Sequence, residues 1–259
     1  MYRKTTAICV AAAVLGMASS PTEAQTSTTP AGTSRPSGPV QQKLVPGMAG
    51  YTDDVLFGEV WPGTGLSPRD RSLVVISALI STNKPAQLKG HLGRALTNGV
   101  TPVEASGVLT HLAFYSGWPN AVIALDVYDE VFTARDVDLA AFQAATAPLK
   151  PGTTPMQPLP PEFTAIAPRF VDLNSRVVQD DLWRRSDLSP RDRSLVTITA
   201  LTAMGDTDIL GPYLQRGVAA GLTRDEIVEA VTHLGFYVGW GKATKAISEV
   251  SRTLGPGSS

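Results

Sequence analysis

The chain has three histidines, His91, His111 and His233, and each stands within reach of a cationic or aromatic neighbour. His91 precedes Arg94 by three residues, a spacing that puts both on one face of a helix. His111 and His233 precede Tyr115 and Tyr237 by four residues, one helical turn on. Imidazole titrates nearest neutrality and suits proton transfer. Guanidinium presents a fork of donors that matches a carboxylate. The residue types suit acid–base chemistry on an anionic small molecule, with His91 and His111 as candidate proton-transfer groups. Arg94 is the expected carboxylate anchor, and Arg69 and Arg71 are further substrate-binding candidates. His233 and Arg216 are their counterparts later in the chain. Two blander readings stand beside these. His111 and His233 also fit hydrogen-bonded packing histidines, and an Arg-Asp-Arg cluster after a helix cap also fits an ion-pair network.

The elements that must position these residues come from a duplication. The segment LSPRDRSLV of residues 66–74 recurs at residues 188–196, an offset of 122 positions that also pairs Trp61 with Trp183, His111 with His233 and Trp118 with Trp240. From residue 61 onward 28 of 65 aligned positions are identical without a gap, so two copies of one unit are present. Each copy reads as helices. Ser67 caps a helix whose first residue is Pro68, with Asp70 at its positive end and an apolar face through Leu73, Val74, Ser77 and Ile80. The next helix carries Leu88, Leu92, Ala95 and Leu96 and stops at Gly99. Thr101 and Glu104 start a third, which runs to about Ser116, and a fourth covers Asn120 to about Thr133. No alternating strand pattern interrupts them, so the expected fold class is all-α with antiparallel helix pairs. The second copy departs at one place: Gly211-Pro212-Tyr213 replaces Lys89-Gly90-His91. Proline there should shorten or kink the helix, and only the first copy keeps the histidine.

The N-terminal residues 1–24 carry Arg3 and Lys4, an apolar run and a small-residue junction before Gln25, the pattern of a secretory signal peptide. The expected location is periplasmic or secreted, with no membrane contact after cleavage. Residues 25–47 are expected to form a flexible leader, residues 48–145 the first domain, residues 146–162 a proline-rich linker and residues 163–255 the second domain. The sole cysteine, Cys9, falls in the signal segment. Disulfides and thiolate chemistry are then excluded from the processed chain. Cleavage leaves 20 basic and 22 acidic residues, a balance that argues against a polyanion binder. No basic aromatic stripe for nucleic acid, no phosphate loop and no metal-ligand spacing is present.

The ordered set LSPRDRSL, His91 followed by LGRALTNGVT, and His111 followed by LAFYSGWP resembles the carboxymuconolactone decarboxylase family across most of both copies. The resemblance implies two tandem helical units of the alkylhydroperoxidase-D-like fold. It further implies a cofactor-free carboxy-lyase acting on a small carboxylated lactone or a related enolisable acid, and assembly as a homo-oligomer, a trimer of tandem chains. The Cys-x-x-Cys pair of the peroxidase branch is replaced by Lys84 and Gln87, and in the second copy by Asp206 and Ile209, so dithiol peroxidase chemistry has no residues to run on. For such a lyase the resemblance implies His91 as the principal acid–base residue, Arg94 as a carboxylate anchor and His111 as a second donor or orienting group, and the three should converge on one pocket. Their burial in separate cores would instead favour an exported binding or assembly protein that retains the fold.

Overall fold

The computed structural model describes residues 35–140, 142 and 159–255. The signal segment expected over residues 1–24 and most of the expected linker lie outside these residues. Two short helices, α1 (Pro39–Leu44) and α2 (Pro46–Gly50), lead into a π-helical stretch at Tyr51–Val60. Four helices of the first repeat follow: α3 (Pro68–Ser81), α4 (Pro85–Thr97), α5 (Pro102–Tyr115) and α6 (Trp118–Thr133). The second repeat reproduces the order with α7 (Glu162–Ile166), α8 (Pro168–Leu173), a π-helical stretch at Asn174–Gln179, α9 (Pro190–Met204), α10 (Leu210–Ala219), α11 (Arg224–Val238) and α12 (Trp240–Leu254). No β-strand occurs among the described residues, and the all-α expectation holds.

The helix starts follow from local chemistry. Ser67 accepts the Asp70 amide at 3.0 Å and Ser189 the Asp192 amide at 3.1 Å, each just before a proline whose missing N–H costs nothing there. Thr101 with Glu104, and Thr223 with Glu226, form complete capping boxes. Gly99 and Gly221 close their helices at φ +98° and +102°, where a side chain would be strained. Pro212 lies in the first turn of α10, which begins three residues later than α4 does on the repeat alignment, after a 3₁₀ turn at Thr207–Ile209.

The expected flexible leader needs a correction over its C-terminal part. From Pro39 the chain is helical, and Ser37 donates through its amide and hydroxyl to the Asp53 carboxylate at 2.8 and 2.7 Å. Gln42 returns to the Ser37 carbonyl at 2.8 Å. Polar side chains, which composition counts only as hydrophilic, supply the fixing contacts.

The first long helix of each repeat was expected to bury one face; in fact Asp70 to Ser81 and Asp192 to Ala203 are buried all round. The reason is that α3 and α9 pack on one another at the centre, α5 of the first repeat covers α9, and α11 of the second covers α3. Ser72, Ser77 and Thr197 inside this core each donate to the carbonyl four residues back, whereas the Thr199 and Thr202 hydroxyls have no partner among the described residues. The interleaving means that both repeats share one hydrophobic core, in which each enclosed leucine or isoleucine stabilises by roughly 1.5–3 kcal/mol.

The entrances of α3 and α9 are tied reciprocally. Arg69 donates to Asp192 and Arg191 to Asp70, each at 2.8 Å, and each arginine also meets its own repeat's glutamate, Glu104 or Glu226, at 2.6 Å. Burial works against these cations, but the paired carboxylates outweigh it and raise both arginine pKa values. The substrate-binding role expected for Arg69 is thus corrected: its guanidinium is committed to a bridge between repeats.

Candidate functional site

Because α5 and α11 cross to the opposite repeat, the histidines of the sequence reading are redistributed between two side-chain clusters, each built from both repeats. In the first, α4 supplies His91 and Arg94, the segment before α3 supplies Trp61, α3 supplies Arg71, and α11 of the second repeat supplies His233 and Tyr237. Trp61 lies edge-on to His233 at 4.9 Å between ring centroids and stacks on His91 at 6.1 Å. Tyr237 meets both imidazoles edge-on, at 5.4 Å for His91 and 5.3 Å for His233, and its hydroxyl accepts from Trp61 Nε1 at 3.1 Å. Arg94 holds its guanidinium about the Phe57 and Trp61 rings, 5.2 and 5.1 Å from their centroids, a cation–π seat that leaves its donors available.

His111 is not in this pocket. It sits in the second one, with Tyr115 beside it and Trp183, Arg193, Tyr213 and Arg216 from the other repeat. The expected convergence of His91, Arg94 and His111 does not occur: His111 is buried in a separate cluster, the arrangement expected of the binding or assembly alternative, and His91 and Arg94 meet His233 of the second repeat instead. Nothing in one linear copy signals this, since the exchange depends on which repeat α5 covers.

The two pockets treat their histidines differently. Arg193 Nη1 donates to His111 Nδ1 at 3.4 Å; Nε2 then carries the proton and donates to Thr197 Oγ1 at 2.8 Å, because that hydroxyl spends its own hydrogen on the Arg193 carbonyl. His111 is fixed as one neutral tautomer. At the position of Thr197 the first repeat has Val75, which has no polar atom to offer. Accordingly Nδ1 and Nε2 of His233, Nδ1 of His91, and Nε and Nη1 of Arg71 have no hydrogen-bond partner among the described residues. Of these five enclosed nitrogens the two of Arg71 are donors, and each neutral imidazole adds one donor and one acceptor, a mixed set that suits an oxygen-rich anionic molecule.

Arg71, fully enclosed, is not a free anchor. Its Nη2 donates to Glu229 of the second repeat at 2.6 Å and to the Gly63 carbonyl at 2.8 Å. Only Nε and Nη1 remain for a ligand, so its expected substrate-binding role is narrowed to those two. Arg193, its counterpart, pairs with Asp187 of its own repeat at 2.9 Å. Each pocket thus combines one arginine neutralised by a carboxylate with one, Arg94 or Arg216, for which no carboxylate partner lies within ion-pairing distance among the described residues.

Burial holds all three imidazoles neutral. His91 is lowered to about 4 by burial and then by Arg94; His233 is lowered to about 3 by burial, then Arg71 and His91; His111 is held well below its ordinary value by burial, Arg193 and Arg216. Burial raises the Tyr237 hydroxyl to about 12. Among the described residues no group of three histidine or acidic side chains has a metal-holding arrangement.

These shifts fix how stability varies with acidity. Unfolded histidines bind protons below about pH 6.5 while the folded ones do not, so the contribution is whole above that pH and is lost as pH falls from 6.5 towards 4. The carboxylates depressed by ion pairing titrate lower. Urea unfolding between pH 7.5 and 4.5 should therefore show ΔG declining by up to about 1.4 kcal/mol per pH unit for each histidine. Enclosed His111 and His233 both contribute, and His91, which solvent partly reaches, contributes less. A flat profile across that window would contradict neutral burial.

Trp61, Trp183, Glu229 and Asp187 were not among the site residues expected from sequence, yet they contact the histidines or buried arginines of the two clusters. The aromatic signal was present in the 122-residue offset, which pairs Trp61 with Trp183 and Tyr115 with Tyr237. The carboxylates were visible only as mismatches: Glu229 aligns with Gly107, and Asp187 with Gly65.

Comparison with known proteins fits this geometry. The sequence profile of the carboxymuconolactone decarboxylase family matches residues 46–130 and again residues 168–251. The chain is 36% identical over 84 residues to 4-carboxymuconolactone decarboxylase of Acinetobacter baylyi, an alignment covering 32% of this chain and 61% of that protein. It is 34% identical over 71 residues to a nitrosuccinic acid decarboxylase of Metarhizium robertsii, covering 27% of this chain and 50% of that one. The chain thus spans about half to three-fifths of the length of these relatives.

Proposed function

Since the chain belongs to the carboxymuconolactone decarboxylase family, with the domain present twice, we propose that it is a cofactor-free carboxy-lyase whose working pocket is the one holding His91, Arg94 and His233. The observation that carries this reading is the set of unpartnered nitrogens on His91, His233 and Arg71 in a pocket walled by Trp61 and Tyr237. The substrate class is a small acid with a carboxylate next to a group that accepts an electron pair, as in a carboxylated unsaturated lactone; the two relatives named above are decarboxylases of small acids.

In such a substrate the bond to the departing carboxylate breaks, its electron pair enters the conjugated carbonyl, carbon dioxide leaves and an enolate remains. Arg94 anchors a carboxylate that is retained. The free Nε and Nη1 of Arg71 face developing negative charge. A proton must then reach carbon. Bound anionic substrate favours the protonated imidazole against the burial that otherwise keeps it neutral, and His91 or His233 then delivers that proton.

The test is carbon dioxide release from 4-carboxymuconolactone and from nitrosuccinate by the purified chain, beside a His91→Asn variant with unchanged circular dichroism. Release by the wild type that falls by about 100-fold or more in the variant is the expected result. Equal release from both would remove His91 from the chemistry, and none from either would overturn the lyase reading for these acids. Export, on the strength of residues 1–24, is part of the same proposal, and so is self-association of tandem chains. Cell fractionation and light scattering test them.

A further inference from the structure

The second pocket was set aside above because its histidine is locked, yet it remains a built cavity. We propose that it is a binding site for a small apolar monocarboxylate, held without turnover. A cavity of about 380 Å³ opens there between the repeats, at the lower end of the roughly 300–1,000 Å³ that small organic ligands occupy. Phe170, Leu173, Val177 and Val178 of the second repeat and Phe114 of the first form its apolar wall, and Tyr115 and Tyr213 line its polar part.

The polar part is arranged for one acceptor group. Trp183 Nε1 donates to the Tyr115 oxygen at 2.8 Å, so the Tyr115 proton is free to pass onward. The two tyrosine rings meet edge-on at 5.6 Å and both residues line the cavity, so their hydroxyls are the polar groups it offers to a ligand. Beside them Arg216 lies 3.5 Å over the Trp183 ring. It stands behind the residues that line the cavity rather than on the lining itself, and its Nη1 is enclosed and unpartnered. Arg193, the other cation, is already neutralised by Asp187. One uncompensated positive charge selects one carboxylate, and the wall selects a hydrocarbon body rather than a second anionic group.

The same pocket lacks the means to turn such a ligand over. Tyr213 stands where the first pocket has His91, and both nitrogens of His111 are occupied by Arg193 and Thr197. This inference does not rest on the lyase reading, because its test measures binding and never activity.

Titration calorimetry of the full chain with benzoate is the experiment, repeated on Arg216→Gln, Val178→Trp and Arg94→Gln. The arginine change removes the charge partner, and the valine change fills the cavity without touching Arg216. Saturable binding to the wild type, weakened at least 10-fold in Arg216→Gln and in Val178→Trp but within 2-fold in Arg94→Gln, is expected. Absence of saturable binding to the folded wild type would overturn the proposal. So would binding lost in Arg94→Gln and kept in Val178→Trp, which would place the ligand in the first pocket.

Discussion

Replacing His233 with Asn should lower kcat for decarboxylation by about 100- to 10,000-fold, although this residue lies in the repeat that lacks a counterpart to His91. The same change at His111, the residue that the first repeat's own motif would nominate, should leave kcat within a few-fold. The contrast follows from hydrogen bonding rather than from position. His233 keeps both ring nitrogens unengaged, 5.3 Å from the Tyr237 ring and edge-on to Trp61. His111 spends both of its nitrogens on Arg193 and Thr197. Its loss should appear as stability, about 1–3 kcal/mol for the enclosed donors left without a partner. Steady-state kinetics on both variants, with unfolding measured alongside, separates the two roles. A His111 variant as inactive as the His233 variant would show that the second pocket also turns substrate over.

A second large effect is expected at Glu229. Changing it to Gly leaves Arg71, whose side chain is 0% exposed, without its carboxylate. Breaking a buried pair costs about 3–5 kcal/mol, and the lower end applies because the Glu229 side chain is 28% exposed. Glycine in a helix adds up to about 1 kcal/mol, so a loss of roughly 4 kcal/mol is expected from these two terms. The repeat geometry supplies the rescue. A Cβ at Gly65 would meet Glu229 Cγ at 3.1 Å, and a Cβ at Gly107 would meet Asp187 Cβ and Cγ at 3.1 Å. The two pockets therefore place one carboxylate each beside one buried arginine, brought from opposite sides, with glycine clearing the space. Adding Gly65→Asp to Glu229→Gly converts the first pocket to the arrangement of the second and should restore about 3 kcal/mol. Urea unfolding of the single and double variants measures this, and no recovery in the double variant would mean that the carboxylate does not set the stability of Arg71.

The exchange also explains why the first repeat partners the second rather than a copy of itself. Two first repeats would set Gly65 against Gly107 and leave an enclosed arginine unpaired. Two second repeats would crowd Asp187 and Glu229 onto one arginine. Both cost more than the observed pairing, in which each arginine has one carboxylate.

What the sequence by itself determined is what local chemistry and period determine. Ser67, Pro68 and Asp70, the Thr101–Glu104 box and Gly99 set helix boundaries through contacts within a few residues, so α3, α5 and α6 were legible to within about two residues, whereas α1, α2, α7, α8 and the π-helical stretches were not. The 122-residue offset made the duplication certain, and the placing of His91 with Arg94 needed only the pitch of one helix. The tertiary structure decided everything that depends on which repeat covers which. Whether α3 buries one face or all of them, whether Arg69 faces a ligand or Asp192, and whether His111 or His233 joins His91 are set by the crossing of α5 onto α9 and α11 onto α3. The physical reason is that side-chain partners across a helix interface are chosen by the packing of two distant segments. Identical motifs such as RDRSL, and the recurring histidine four residues before a tyrosine, then acquire different partners from a valine in place of threonine and a glycine in place of a carboxylate.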